Sequence, residues 1–438
     1  MPQLSKFKKT ELGEIPEEWN INRLEEISTI TRLAGYEYTE YWKPNPNGSI
    51  IALRGFNISG NKLDLRNVER ITEELSLKLK RSKLYKDDIV FPCVGSIGNA
   101  VLIEENNKYH INQNIAKLTA NSTIFPLFLT HILLSDITKR QIIRFNASTS
   151  QPNVLVGNLR KFLVPIPPFN EQKIIASILS NVDGLIQKTD QITEQTQRLK
   201  KGLMQKLLTK GIGHTKFKAF KSLFGKYEEI PKDWEIKTFG ELFEFLRAGT
   251  NSRDDLEESG DVQYIHYGDI HAKWHSILDC NLEKIPWIDK AKVQGLPLLK
   301  EGDLIIADAS EDYEGSGASV LLKNVKNRKI VSGLHTIPLR NINDDVFSNF
   351  KTYLNSIRFV KNQIIAYVTG ISVYGLSKNN LRKIRIPLPP SKEQQKISSV
   401  LSNVDSLIQK QQNNKSNLAN LKKGLMQQLL TGKIRVKV

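Results

Sequence analysis

Between residues 170 and 209 the apolar side chains recur in alternating steps of four and three. Ile178, Val182, Leu185, Ile192, Leu199 and Leu203 carry the series, with Thr189 and Thr196 in step. This period predicts a coiled-coil seam. A second stretch repeats it with Val400, Val404, Leu407, Leu418, Leu421 and Leu425, with Gln411 and Asn414 at the two polar steps. Pro167-Pro168 and Pro389-Pro390 precede the stretches; proline suits the approach and first turn of a helix but not its interior. Gly211 and Gly432 follow them and suit helix C-caps. Roughly 40 residues rising about 1.5 Å each give a helix of about 60 Å. Two such helices, each after a globular segment, pair most simply antiparallel. Thr189, Gln411 and Asn414 then fall near the middle, where they either fix the register or mark a stretch open to water.

The intervening segments have a different pattern. Short apolar runs predict strands at 49–53, 88–94, 101–103, 303–309, 319–323 and 384–388. Longer amphipathic stretches at 125–143 and 347–365 predict helices. The two helical stretches hold similar places in the two halves, so the segments are expected to share a fold and differ in surface.

The halves are copies. LKKGLMQKLLT at 199–209 returns as LKKGLMQQLLT at 421–431, ten of eleven positions identical, at a step of 222. SNVDGLIQK (180–188) and PIPPFNEQK (165–173) find counterparts at the same step. GEIPEEW (13–19) returns as EEIPKDW (228–234), at a step of 215. The step changes because the segments between these landmarks differ in length, and they differ in sequence too. The expected fold is α+β: two mixed α/β domains separated by two long antiparallel coiled-coil helices, with an internal pseudo-twofold repeat. The expected boundaries are a first domain at 1–165, a first helical spacer at 166–212, a second domain at 213–386 and a second spacer at 387–438.

Composition narrows the partner. Lys and Arg number 63 against 46 Asp and Glu, a formal charge of +17, which favours a polyanion because neutralised phosphates release counterions; a lysine-loaded surface is the plain alternative. Cys93 and Cys280 are too few for a disulfide framework. With no apolar signal core and no membrane-length apolar run, a cytoplasmic protein without a membrane partner is expected. No GxxxxGK[ST] phosphate loop occurs. Pro167-Pro168-Phe169 lacks the Asn that an NPPF methyltransferase element needs before it, and its copy ends in Ser391.

Together the opening IPEEW/IPKDW, the strand-turn KDDIVFPCVGSIG (86–98) with its counterpart EGDLIIADASEDYEGSG (301–317), and the closing PxPPxxEQ before a long helix ending LKKGLMQxLLT resemble type I restriction–modification specificity subunits over nearly the whole chain. The second turn is longer than the family pattern, so loop contacts do not transfer in detail. The resemblance implies a non-catalytic subunit whose two α/β segments are target-recognition domains. Each would read one half of an asymmetric bipartite site in double-stranded DNA. The helices would act as ruler and as dock for two modification (methyltransferase) subunits, which would carry S-adenosylmethionine, so the chain itself would hold no cofactor. Restriction subunits would join them in a cleaving complex. The competing readings are a structural coiled-coil adaptor and a self-contained DNA modification enzyme.

Candidate DNA-facing residues lie in polar, basic or aromatic loops. One group is Arg32 with its positional counterparts Arg247, Thr250, Asn251 and Arg253. Another is Asn146, Ser148, Thr149 and Gln151, matched by Thr369, Ser372 and Tyr374. Arg and Asn can read guanine and adenine edges; a solvated loop of turn formers is the bland alternative. A third group is His266, Tyr267, His271, Lys273 and Trp274. Their spacing, with His275 and Cys280 nearby, matches no standard zinc pattern, and no metal is expected. Lys200, Lys201, Lys422 and Lys423 lie off the seam, as a solvated face or a protein dock.

Overall fold

A computed structural model describes residues 6–146, 153–221, 227–274 and 276–437, leaving aside the side chain of Tyr227. The chain forms two compact units, Met1–Gln191 with Gln412–Val438, and Ile192–Gln411. Each unit therefore holds one α/β segment and a part of both long helices.

In the first unit an antiparallel sheet runs Val101–Leu102, Asp88–Pro92, Ile115–Ala120, Ser28–Arg32. A second sheet pairs Ile50–Leu53 in parallel with Tyr109–Ile111 and antiparallel with Glu69–Ile71. The second unit repeats this plan. Its sheet runs Ser319–Lys323, Leu304–Ala307, Thr336–Asn341, Phe243–Phe245, and adds Ser276–Asp279 parallel to Ser319–Lys323 at one edge. Val262–Ile265 pairs in parallel with Ile330–Ser332 and antiparallel with Trp287–Ile288. The central strands are buried on both faces, which is why they read as continuous apolar runs rather than alternating ones.

The amphipathic stretch at 125–143 becomes two helices, Pro126–Leu134 and Asp136–Phe145. The break is at Ser135, whose hydroxyl donates to the Ile132 carbonyl at 2.6 Å and accepts from the Ile137 amide at 3.2 Å. The stretch at 347–365 becomes a 3₁₀ helix, Ser348–Ser356, then an α-helix, Arg358–Tyr367.

The long helices are Phe169–Lys210 and Ser391–Leu429, starting directly after the proline pairs. Gly211 and Gly432 stand at φ +65° and +70°, as C-terminal caps require. In the first unit Asp183 pairs with Lys422 and Asp190 with Lys415, both at 2.6 Å. Numbers rise along one helix as they fall along the other, so the two pack antiparallel. Lys200–Asp405 in the second unit, at 2.5 Å, falls on the same count.

The seam corrects the periodicity reading at Leu185 and Leu199 of the first helix and at Val400, Leu407 and Leu421 of the second. Val182, Thr189 and Thr196 are buried, while Leu185 and Leu199 are 51% and 55% exposed. Val400, Leu407 and Leu421 are exposed as well. Ile178, Ile192, Leu203, Val404, Leu418 and Leu425 are half-buried. Each helix serves two neighbours. Ile175, Ala176 and Leu179 enter the core of the first unit, and Ile397 and Leu401 that of the second. The covered face lies about one residue round from the predicted stripe, and one leucine stripe is left outside. Thr189 and Thr196 donate their hydroxyls to carbonyls one turn back, Leu185 at 2.8 Å and Ile192 at 2.7 Å. Gln411 is half-buried and Asn414 exposed.

Candidate nucleic-acid interface

The repeated motifs form a polar frame that holds each α/β segment on its helices. Gln172 accepts the Phe125 amide at 2.7 Å and donates to the carbonyls of Thr123 and Pro167. Gln394 accepts the Phe347 amide at 2.9 Å and donates to Asp345 and Pro389. Gln141 bonds both backbone groups of Leu163, and Gln363 both of Arg385. The fully buried Glu171 accepts the Trp19 indole N–H at 3.2 Å and the Arg435 guanidinium at 2.7 and 2.9 Å. Its copy Glu393 accepts the Trp234 N–H at 3.0 Å, the Ile212 amide at 2.8 Å and the His214 ring at 2.9 Å. The signature PxPPxxEQ is thus a clamp, and its Pro-Pro element is a helix entry rather than a catalytic one.

In the second unit four turns meet on one end of the sheets. Gly249 donates to Ser332 at 2.8 Å, and the buried Tyr264 hydroxyl donates to the Asn251 carbonyl while accepting the Leu334 amide. His271 lies 2.9 Å from the Ala309 carbonyl. Ala309–Ser310 pairs with Tyr374–Gly375, and the Tyr313 and Tyr374 rings lie 4.1 Å apart. His335 sits 3.1 Å from the Asp308 carboxylate, its ring centroid 5.2 Å from that of Tyr267. The turn at 311–317 is pinned by Lys361, whose ammonium donates to the carbonyls of Glu314 and Ser316 and is held below the usual lysine range by burial.

Most candidates of this half thus come together. Arg247, Thr250, Arg253, Thr369 and Ser372 are exposed; Asn251, Tyr267, His271 and Tyr374 are half-buried. Arg253 and Lys273 both pair with the buried Asp269, at 3.2 and 2.8 Å. Two candidates are corrected. Trp274, 2% exposed, is part of a hydrophobic core, and the buried His266 caps the Tyr267–Ala272 helix by accepting the Gly268 amide at 3.2 Å. Burial, then Arg253, holds the His266 pKa below the ordinary value. An aromatic-rich loop looks the same in sequence whether its rings face in or out.

The first unit has the same arrangement with other side chains. Asn112 donates to Leu53 at 2.9 Å, Cys93 to the Asn114 carbonyl at 2.7 Å, and Val154 to Cys93 at 2.9 Å. In the second unit Gly333 donates to Ile265, Asp308 to His335 and Leu376 to Asp308. Arg32 lies on the edge strand opposite Ala116, close enough to Cys93 to act on its thiol. The Asn146 side chain accepts the Asn153 amide at 3.0 Å. Ser148, Thr149 and Gln151 lie outside the described residues, as does His275. Arg54 stands over the exposed Phe56 ring at 4.3 Å and reaches Glu69 at 3.7 Å.

The structure adds Arg54, Asn114, Asp308 and His335, which the sequence reading did not single out, to these turns. The available signal was positional: Asn114 and His335 each sit between two apolar strand runs near the repeat step. Burial pushes the Cys93 thiol up to about 12 and Cys280 up to about 11, which leaves both inert. Among the described residues no group of three or more His, Cys, Asp or Glu is placed to hold a metal.

Each unit also carries a cleft between its long-helix end and its α/β segment. One, of about 690 Å³, is lined by Lys139, Lys423 and Met426, and the other, of about 950 Å³, by their counterparts Lys361, Lys201 and Met204. The near-identical LKKGLMQ copies thus combine an ion-paired lysine, a cleft lysine and a cleft methionine. None of the described helices is long and apolar enough to cross a membrane.

Residues 16–198 and 231–418 match the family described as type I restriction modification DNA specificity domain. A chain of Methanocaldococcus jannaschii assigned as the MjaX type I restriction enzyme specificity subunit is 29% identical over 447 residues, covering 98% of this chain and 97% of its own. The MjaVIII specificity subunit of the same organism is 30% identical over 363 residues, 80% of each chain. The crystal structure of a type I restriction–modification S subunit from M. genitalium has the same fold, with a TM-score of 0.54 at 16% identity, over 94% of this chain and 96% of that one. With two matched segments on a duplicated frame, the chain belongs to the family of type I restriction–modification DNA specificity subunits.

Proposed function

We propose that the two units read the two halves of an asymmetric bipartite site in double-stranded DNA, one unit per half-site. The chain is the non-catalytic, DNA-recognising subunit of a type I complex. The observation that carries the finer reading is the duplicated frame with unlike turns. Gln141, Gln172 and Glu171 recur in kind as Gln363, Gln394 and Glu393, whereas the turns at the far end of the sheets carry different side chains. A reader of two different half-sites needs one scaffold and two surfaces. The segments 1–165 and 213–386 are the recognition domains in this reading, and 166–212 and 387–438 the spacers.

Two methyltransferase subunits dock on the helices and bring S-adenosylmethionine; restriction subunits join that core. The support is the leucine stripe left outside the seam, where Leu185 and Leu421 of one unit match Leu407 and Leu199 of the other at the repeat step. Two like surfaces fit two copies of one partner. The excess of 17 positive charges and two free, buried cysteines fit work on DNA in the cytoplasm.

Exchanging residues 235–386 for the matching segment of a relative, and mapping methylation by the assembled complex, tests the reading. One half-site should change and the other persist; change in both sinks it. The ruler is tested separately. Seven residues added in register to each helix lengthen it by about 10 Å, and should widen the gap between half-sites by roughly one to three base pairs. An active complex that keeps the original gap rejects the ruler.

A further inference from the structure

Asn114 and His335 occupy one backbone position in two copies. Each lies on the turn that leads from the parallel-paired strand into the central strand. Each carbonyl accepts a backbone N–H from the neighbouring strand end, Cys93 or Asp308. Both stand at left-handed φ, +65° and +55°, and both side chains are exposed. If the turn alone mattered, glycine would be the least costly residue there, because a Cβ is disfavoured at such φ. Asn and His tolerate this region better than most side chains, but each still carries a Cβ that glycine would not, and the side chain differs between the two copies. A backbone pinned on both sides with a variable, solvent-facing side chain is what a reading position needs.

The surroundings differ to match. Asn114 stands beside the buried Cys93, and its amide offers a donor and an acceptor, the pairing an adenine presents at N7 and N6. His335 stands between Asp308 and the edge of Tyr267. A carboxylate only accepts, so Nδ1 donates to Asp308 and Nε2 is the ring atom left to face a base; in the tautomer whose single proton sits on Nδ1, Nε2 is an acceptor. That suits the exocyclic amino group of cytosine or adenine.

We propose that Asn114 and His335 are matched base-reading side chains, one per half-site, Asn114 for the N6/N7 edge of an adenine and His335 for an exocyclic amino group. This rests on the reading of one half-site per unit. The test uses Asn114→Gly and His335→Gly, which suit the left-handed backbone better than the native residues and so spare the fold. Each variant is assembled with its methyltransferase partner and its methylation mapped genome-wide. Each should relax one base position in its own half-site, by roughly 5- to 150-fold in discrimination, and leave the other half-site and the gap unchanged. Unaltered half-sites in both variants overturn the proposal. So does a uniform loss of methylation with no position relaxed, which marks a purely structural turn. The exchange of 235–386 is run in parallel. If it moves one half-site while His335→Gly is silent, only this proposal fails; if neither moves a half-site, the reading beneath it fails.

Discussion

The same aspartate–lysine pair sits under two different aromatic rings in the two units. In the first, Asp183 pairs with Lys422, and the buried His131 lies 3.1 Å from the Ser180 hydroxyl nearby. In the second, Asp405 pairs with Lys200, and Tyr353, which takes the place of His131 at the repeat step, donates its hydroxyl to Asp405 at 3.2 Å. The clamps below differ in a similar way: Arg435 serves Glu171 where His214 serves Glu393. Groups that join helix to domain are thus kept in kind, while the groups beside them change. Duplication preserved what geometry demands and released what it does not, and the turns at the far end of the sheets show the same freedom further on.

That comparison breaks most visibly at the clamps. Arg435→Ala leaves Glu171, which is fully buried, with the Trp19 N–H as its described donor, and should destabilise the first unit by about 3 kcal/mol. His214→Ala leaves Glu393, 12% exposed, with both the Trp234 and Ile212 N–H groups, and should cost about 1 kcal/mol. Denaturant unfolding of the full chain, resolved by hydrogen exchange in each unit, separates the two. Equal losses would mean the clamps are interchangeable.

Acid should divide the units almost as strongly. Burial, then Lys422, holds His131 at about 4, below its ordinary 6.5. Between those values the unfolded chain takes up a proton that the folded unit refuses. Stability is therefore full above pH 6.5 and is lost as pH falls toward 4, by up to about 3 kcal/mol. Tyr353 is neutral throughout that window, because burial and Asp405 raise its pKa further. Hydrogen exchange at pH 7 and pH 4.5 should find the first unit opening preferentially. His131→Phe should remove this contribution from the first unit; an unchanged difference would assign it elsewhere.

Where the copies agree, the effects should agree. Gln141→Leu and Gln363→Leu each strand one backbone N–H and one carbonyl, at Leu163 and Arg385, and each should cost about 2 kcal/mol. A gap of more than about 1 kcal/mol between them would show that the frames are not equivalent. The smallest stability effect belongs to the outer stripe. Leu185→Ala and Leu407→Ala should shift unfolding by less than about 0.5 kcal/mol, as exposed positions do, yet, if the proposed docking holds, weaken capture of a methyltransferase subunit in a pull-down of purified proteins. Large destabilisation without loss of assembly would put these leucines back in the seam.

Local chemistry was legible in the amino-acid order. Proline pairs and glycines marked the helix ends, apolar runs marked the buried strands, and the step of 222 marked the copies, because each depends only on neighbours along the chain. The family was legible for the same reason, since PxPPxxEQ and the two Trp openings are near-identical strings. What each helix face touches was not. A heptad pattern names an apolar stripe, but the helices also pack into the two α/β cores, and in that packing Leu185 and Leu199 lie outside. The site divided the same way. Arg247, Arg253 and Tyr374 could be picked as loop residues from composition. Trp274 and His266 were drawn inward by packing that no spacing records, and Asn114 and His335 were invisible until the strand pairing placed both at left-handed turns. Burial and φ belong to the set of neighbours a residue meets across the sheet, and those neighbours lie too far along the chain for any local pattern to name them.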